Sequence, residues 1–123
     1  MSKVNIQGAL SNYDLLKWGK LLNISLRGIY MLDGLPQRIQ TNERVIVNLD
    51  KEGGVGTHWV AYIKKGKKVY YFDPVGDFQP PYELTKYWKK ESNVEIFYNI
   101  NPVQPIDSDI CGHLSILFLA DQL

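Results

Sequence analysis

The sequence has only one cysteine, Cys111, and only two histidines, His58 and His113, in 123 residues. A lone cysteine excludes an internal disulfide, and a structural zinc site needs about four ligands, so neither staple is expected. No metal or other cofactor is called for. There is also no run of about 20 apolar residues, and the opening MSKVNIQGAL has no apolar h-region. Neither a membrane span nor a secretory leader is expected. An excess of one charge is missing too: 14 basic residues stand against 13 acidic ones, a net charge of +1. Charge therefore gives no support to nucleic acid as an obligate partner. The chain shows no repeat, linker or low-complexity tract. With 45% hydrophobic and 22% charged residues, it reads as one globular domain, residues 1–123, in a reducing compartment or packaged inside a particle.

Ser11-Asn12-Tyr13-Asp14 reads as a helix start, and Leu15, Trp18 and Leu22 follow as one apolar stripe. Gly28 and then Asp33-Gly34-Leu35-Pro36 break that pattern into loop. Arg44 to Leu49 is short and β-branched, a strand. A glycine-rich loop, 51–56, precedes two more strands, His58 to Lys64 and Lys68 to Asp73, joined by a tight Lys65-Gly66-Lys67 hairpin. Pro80-Pro81 opens a helix that carries Leu84, Tyr87 and Trp88 on one face. Glu95 to Ile100 is a further strand. A turn-rich stretch, Asn101 to Asp109, leads to an apolar helix from Cys111 to Leu119. Hairpin-linked strands with helices packed to one side predict an α+β domain.

Cys111 falls after a polar loop and at the start of a helix, where unpaired N–H groups and the helix dipole favour a thiolate. Gly112, lacking a side chain, would let a substrate backbone approach the sulfur. The plainer reading is a small core cysteine. His58 sits at a strand mouth, from which an imidazole can reach a helix N-terminus. Its plainer reading is a hairpin-edge histidine. His113 is a weaker candidate, because residues two apart on a helix do not face each other. The hairpin returns Asp73 to the same end as His58, so its carboxylate could accept the Nδ1–H and fix the tautomer. Asp73-Pro74 is equally good turn chemistry. Gln104, in the loop before Cys111, could join the Cys111 backbone N–H in an oxyanion hole, or be a solvated loop residue.

Gly56-Thr57-His58-Trp59, Tyr71-Phe72-Asp73-Pro74-Val75-Gly76, and Gln104 followed seven positions later by Cys111-Gly112 together resemble the adenain-like cysteine proteases of DNA viruses and virus-like transposons, and the related SUMO proteases. Asp14 to Lys17, Arg27 to Tyr30 and Asp33 to Pro36 resemble the opening segment of the same enzymes. The resemblance implies a papain-like, adenain-like α+β fold: a small, mostly antiparallel sheet flanked by helices, with the nucleophile at a helix N-terminus. It assigns Cys111 as nucleophile, His58 as base and then acid, Asp73 as its orienting carboxylate, Gln104 as oxyanion donor, and Trp59 as a wall of the cleft.

The implied activity is cleavage after small residues, at Gly-Gly or Gly-X sites. Capsid precursors are the expected substrate, processed in the cytoplasm or nucleus of an infected cell or within the virion. The alternatives are removal of ubiquitin-like modifiers and a non-catalytic binding module. Two departures limit the transfer. The long C-terminal extension of adenain is not expected as part of this domain. It also has no second cysteine for the disulfide that ties on adenain's peptide activator, so that mode of activation is not carried over; a peptide activator of any kind stays a partner to test. The basic clusters at 64–68 and at Lys86, Lys89 and Lys90 read as solvated surface rather than a DNA track.

Overall fold

The computed structural model describes residues 12–49, 58–74, 79–98 and 111–121. The glycine-rich loop at 51–56, Gln104 with the rest of the 101–109 loop, and the side chains of Cys111 and Gly112 lie outside the described residues. The elements run α1 (Asn12–Leu21), β1 (Gly28–Met31), β2 (Asn42–Asn48), β3 (Trp59–Lys65), β4 (Lys68–Phe72), α2 (Tyr82–Trp88), β5 (Glu95–Tyr98) and α3 (Cys111–Asp121). The predicted α+β order holds, with one strand added. Gly28–Met31, expected as loop, pairs in parallel with β2, Gly28 opposite Val45 and Met31 opposite Asn48.

The five strands lie in sequence order, β1-β2-β3-β4-β5. The centre is antiparallel, and both edges are added in parallel. A parallel neighbour needs a crossover. The chain provides one through α2, which carries it from the end of β4 back to the start of β5. Helices cover both faces, not one. On the first face α1 and α3 close over Ile46, Trp59, Ala61 and Ile63. On the second, Leu84, Tyr87 and Trp88 of α2 pack on Val45, Val47, Val60, Tyr62, Val69 and Tyr71. That double cover explains why six successive residues of β3, Trp59 to Lys64, are all buried.

Local chemistry sets the element ends. Asn23 adopts φ +59, and the bonds Ile24 N–H to Gly19 O and Asn23 N–H to Lys20 O close a Schellman motif that stops α1. In the β3–β4 hairpin Lys65 pairs with Lys68, leaving Gly66-Lys67 as a two-residue turn. Gly66 alone of the two has positive φ, +60, as a type II′ turn demands.

The second face holds a buried polar hub. Glu43 accepts hydrogen bonds from Arg27 Nη1 at 2.7 Å, Tyr62 Oη at 2.5 Å, Tyr87 Oη at 3.0 Å and the Gln40 N–H at 3.1 Å. Partial burial opposes the charge on Arg27, yet the bond to Glu43 and the charge interactions with Tyr87, Glu43 and Tyr30 together outweigh it and raise its pKa. Beside the hub, the buried Lys64 ammonium donates to Glu91 at 2.7 Å and to the carbonyls of Gln40 and Thr41.

Burial, reinforced by the Glu43 carboxylate, pushes the phenols of Tyr62 and Tyr87 far above their ordinary range. Burial, and then the charge of Asp73, does the same to Tyr71. In the unfolded chain these phenols ionise near pH ~10, whereas in the fold they stay neutral. Their contribution is therefore intact below pH ~10 and is lost as pH rises toward the folded values. Each should cost about 1.4 kcal/mol per pH unit above that point. Thermal melts between pH 9 and 12 should show the midpoint level at first and then falling steeply (a midpoint unchanged at pH 11.5 would contradict the burial of these hydroxyls).

Candidate functional site

The register of the hairpin builds the first half of the site. Ala61 pairs with Phe72, so continuing the ladder sets Asp73 opposite Val60 and diagonal to His58. The backbone of His58 is pinned from the other side, since its carbonyl accepts the Leu49 N–H at 2.9 Å. Both side chains thus project at the end of the sheet opposite the Gly66-Lys67 turn. There His58 Nε2 lies 2.9 Å from Asp73 Oδ1. The carboxylate is 3% exposed and the imidazole 28%, so the carboxylate is shielded while the ring stays reachable.

One detail differs from the sequence expectation. Asp73 meets Nε2, not Nδ1. A carboxylate at Nε2 favours a proton on that nitrogen and turns the Nδ1 edge of the ring away from the aspartate. The contact is the expected one with the two ring nitrogens exchanged.

α3 brings the second half. It begins at Cys111, as expected for a thiol at a helix N-terminus. Ser115 Oγ donates to the Trp59 carbonyl at 3.2 Å, and Arg44 Nη1 donates to the Leu119 carbonyl at 3.1 Å. Trp59 lies at the His58 end of β3, and Arg44 lies opposite Ile63 near the hairpin turn. α3 therefore runs along β3 with its first turn toward His58. Phe118 stacks on Phe72 at 4.8 Å between ring centroids, which fixes the helix against the strand that leads into Asp73.

Trp59, expected to wall the cleft, is 4% exposed and sits in the core cluster beneath α3. Strand alternation turns it away from the face of Val60 and Tyr62. It supports α3 from below rather than forming an open wall. His113, two residues after Cys111, is half-buried on α3. Ser115 was missed by the sequence reading; its signal was a single hydroxyl inside the apolar run Leu114 to Leu119. Among the described residues no group of three or more His, Cys, Asp or Glu side chains could hold a metal ion. Among them, too, no helix is long and apolar enough to cross a membrane.

No family model matches the sequence, and no curated protein matches it. Solved structures do. The ASFV pS273R protease superposes with a TM-score of 0.67 at 17% identity, over 99% of this chain and 60% of that one. A selenomethionine form of the same protease gives 0.63 at 15% identity. The SUMO protease Ulp1, with its catalytic cysteine oxidised to a sulfinic acid, gives 0.59 at 14% identity, over 93% of this chain and 66% of that one. The fold is thus the one shared by the ASFV pS273R protease and the SUMO protease Ulp1. The chain spans about 60% of the length of the viral protease it resembles.

Proposed function

We propose that this chain is a cysteine endopeptidase with Cys111 as nucleophile and the His58–Asp73 pair as its proton-transfer device. The observation that carries the reading is the 2.9 Å contact between His58 Nε2 and the buried Asp73 carboxylate, at the sheet end toward which the first turn of α3 points. On this reading the Nδ1 edge of His58 takes the proton from the Cys111 sulfur, and Asp73 stabilises the imidazolium that forms. The thiolate attacks the peptide carbonyl. The oxyanion is held by the Cys111 N–H and by Gln104, each donor being worth roughly 3 kcal/mol in related acyl transfers. The imidazolium then protonates the leaving amine, and a thioester remains. A water deprotonated by His58 hydrolyses the thioester and restores the thiol.

Gly112, the residue after Cys111 in the sequence, supports substrates with small residues at the cleavage site, of the Gly-Gly or Gly-X type. The likeness to a viral protease supports a maturation role on structural precursors such as capsid proteins. On that reading the enzyme works in the reducing cytoplasm or nucleus of an infected cell, or packaged in the virion. The likeness to Ulp1 supports a second reading, cleavage of a ubiquitin-like modifier that ends in Gly-Gly.

The test is active-site labelling at pH 6 with a short Gly-Gly peptide vinyl sulfone, read by intact mass and repeated in His58→Ala. Modification of Cys111 that depends on His58 is expected. A folded chain that resists both this probe and iodoacetamide would overturn the reading. Comparing a flexible Gly-Gly peptide with a folded modifier that ends in Gly-Gly separates the two substrate classes.

A further inference from the structure

Asp73 directly follows β4 and lies two residues after Tyr71, the spacing that returns a side chain to the same face of an extended chain. About 6.6 Å of strand rise separates them, a gap that a phenol and one water can span. Tyr71 is 2% exposed, and its hydroxyl is buried without a hydrogen-bond partner among the described residues. The contrast with Tyr62, its cross-strand neighbour on the same face, is informative, because the Tyr62 hydroxyl is satisfied by Glu43 at 2.5 Å.

Packing alone does not ask for a hydroxyl at position 71. The ring meets Trp88 edge-on at 5.8 Å between centroids, and phenylalanine would make that contact without stranding a polar atom. Burial and then the negative charge of Asp73 hold the Tyr71 phenol protonated well above its ordinary range. It is therefore a donor across the whole working range, and the Asp73 carboxylate acts on it.

Resting on the protease reading of the site, we infer that Tyr71 is a positioning residue for Asp73. Its hydroxyl supplies, through one buried water, a hydrogen bond to the carboxylate that orients His58. Such a bridge satisfies the orphaned hydroxyl and fixes the rotation of the carboxylate. It acts on the reaction only through Asp73 and His58, because Tyr71 is closed off from substrate.

Tyr71→Phe in the full chain tests this against Tyr62→Phe, which removes a buried phenol that serves Glu43 instead. The readouts are the nitrogen-15 shifts of the His58 ring at one fixed pH, and kcat and KM on a Gly-Gly peptide. Tyr71→Phe should move the His58 Nε2 shift and lower kcat about tenfold at unchanged KM. Tyr62→Phe should lower the melting temperature and leave the His58 shift where it was. An unmoved shift in folded Tyr71→Phe overturns the inference, and so does an equal movement in both variants. Wild-type protein that neither cleaves nor labels would overturn the protease reading instead, while the nitrogen-15 comparison still decides the role of Tyr71.

Discussion

Replacing His58 with alanine should lower kcat/KM on a small-residue peptide by a factor on the order of 10⁴, while the melting temperature changes little. An unperturbed cysteine has a pKa of ~8.5 and is almost wholly protonated at pH 6. If the Cys111 thiolate exists there, it exists because an imidazolium stabilises it. On the proposed reading His58 supplies that imidazolium, at the sheet end toward which the first turn of α3 points and 2.9 Å from Asp73. The same substitution should therefore slow alkylation of Cys111 by iodoacetamide at pH 6. Asp73→Asn provides the graded comparison, since it keeps the base and the nucleophile but weakens control of the tautomer, so alkylation should survive better than turnover. Equal rates for wild type and His58→Ala in both assays would remove His58 from the chemistry. His113 would then be the residue to substitute next.

The largest loss of stability is expected at Glu43. Glu43→Ala removes the acceptor shared by Arg27, Tyr62 and Tyr87 and leaves those donors in a site where water is scarce. Breaking a buried ion pair by deleting one partner typically costs about 3–5 kcal/mol. For a domain of this size that is a fall of roughly 10–20 °C in melting temperature. Glu43→Gln keeps one acceptor oxygen and should cost less. The hub lies toward the hairpin-turn end of the sheet, away from His58, so residual cleavage per folded molecule should be preserved. A Glu43→Ala variant as stable as wild type would mean that the donors find other acceptors.

Several of these features were legible in the sequence and others were not, for identifiable reasons. The stripe of Leu15, Trp18 and Leu22, the Gly66 turn and the trio Leu84, Tyr87 and Trp88 are local patterns, and each appears in the structure where expected. The hairpin put His58 and Asp73 at one end of the sheet, where they could meet, and there they do. β1 was not legible: Gly28–Met31 is four residues long, begins with glycine, and owes its pairing to β2 rather than to its own pattern. The placing of helices on one side failed because the significance of WVAYI lay in its lack of alternation, the mark of a strand covered on both faces. The Glu43 hub was invisible because a glutamate beside an arginine in a strand reads as surface until Tyr62 and Tyr87 are brought over it. Which ring nitrogen of His58 faces Asp73 depends on a rotamer, and no sequence pattern encodes that.

The hairpin also sets an order of assembly. His58 and Asp73 are brought together by a turn of two residues, a short-range event that resembles isolated hairpin formation and closes in about 1–10 µs. The helix that begins at Cys111 reaches the same end of the sheet through contacts such as Ser115 to Trp59, 56 residues apart, and contacts of that range form late. On the proposed reading, a growing or partly folded chain therefore joins His58 to Asp73 before the start of α3 docks beside them. The proposed nucleophile is the last part of the machinery to arrive, and on that reading an unfinished molecule cannot cut its neighbours.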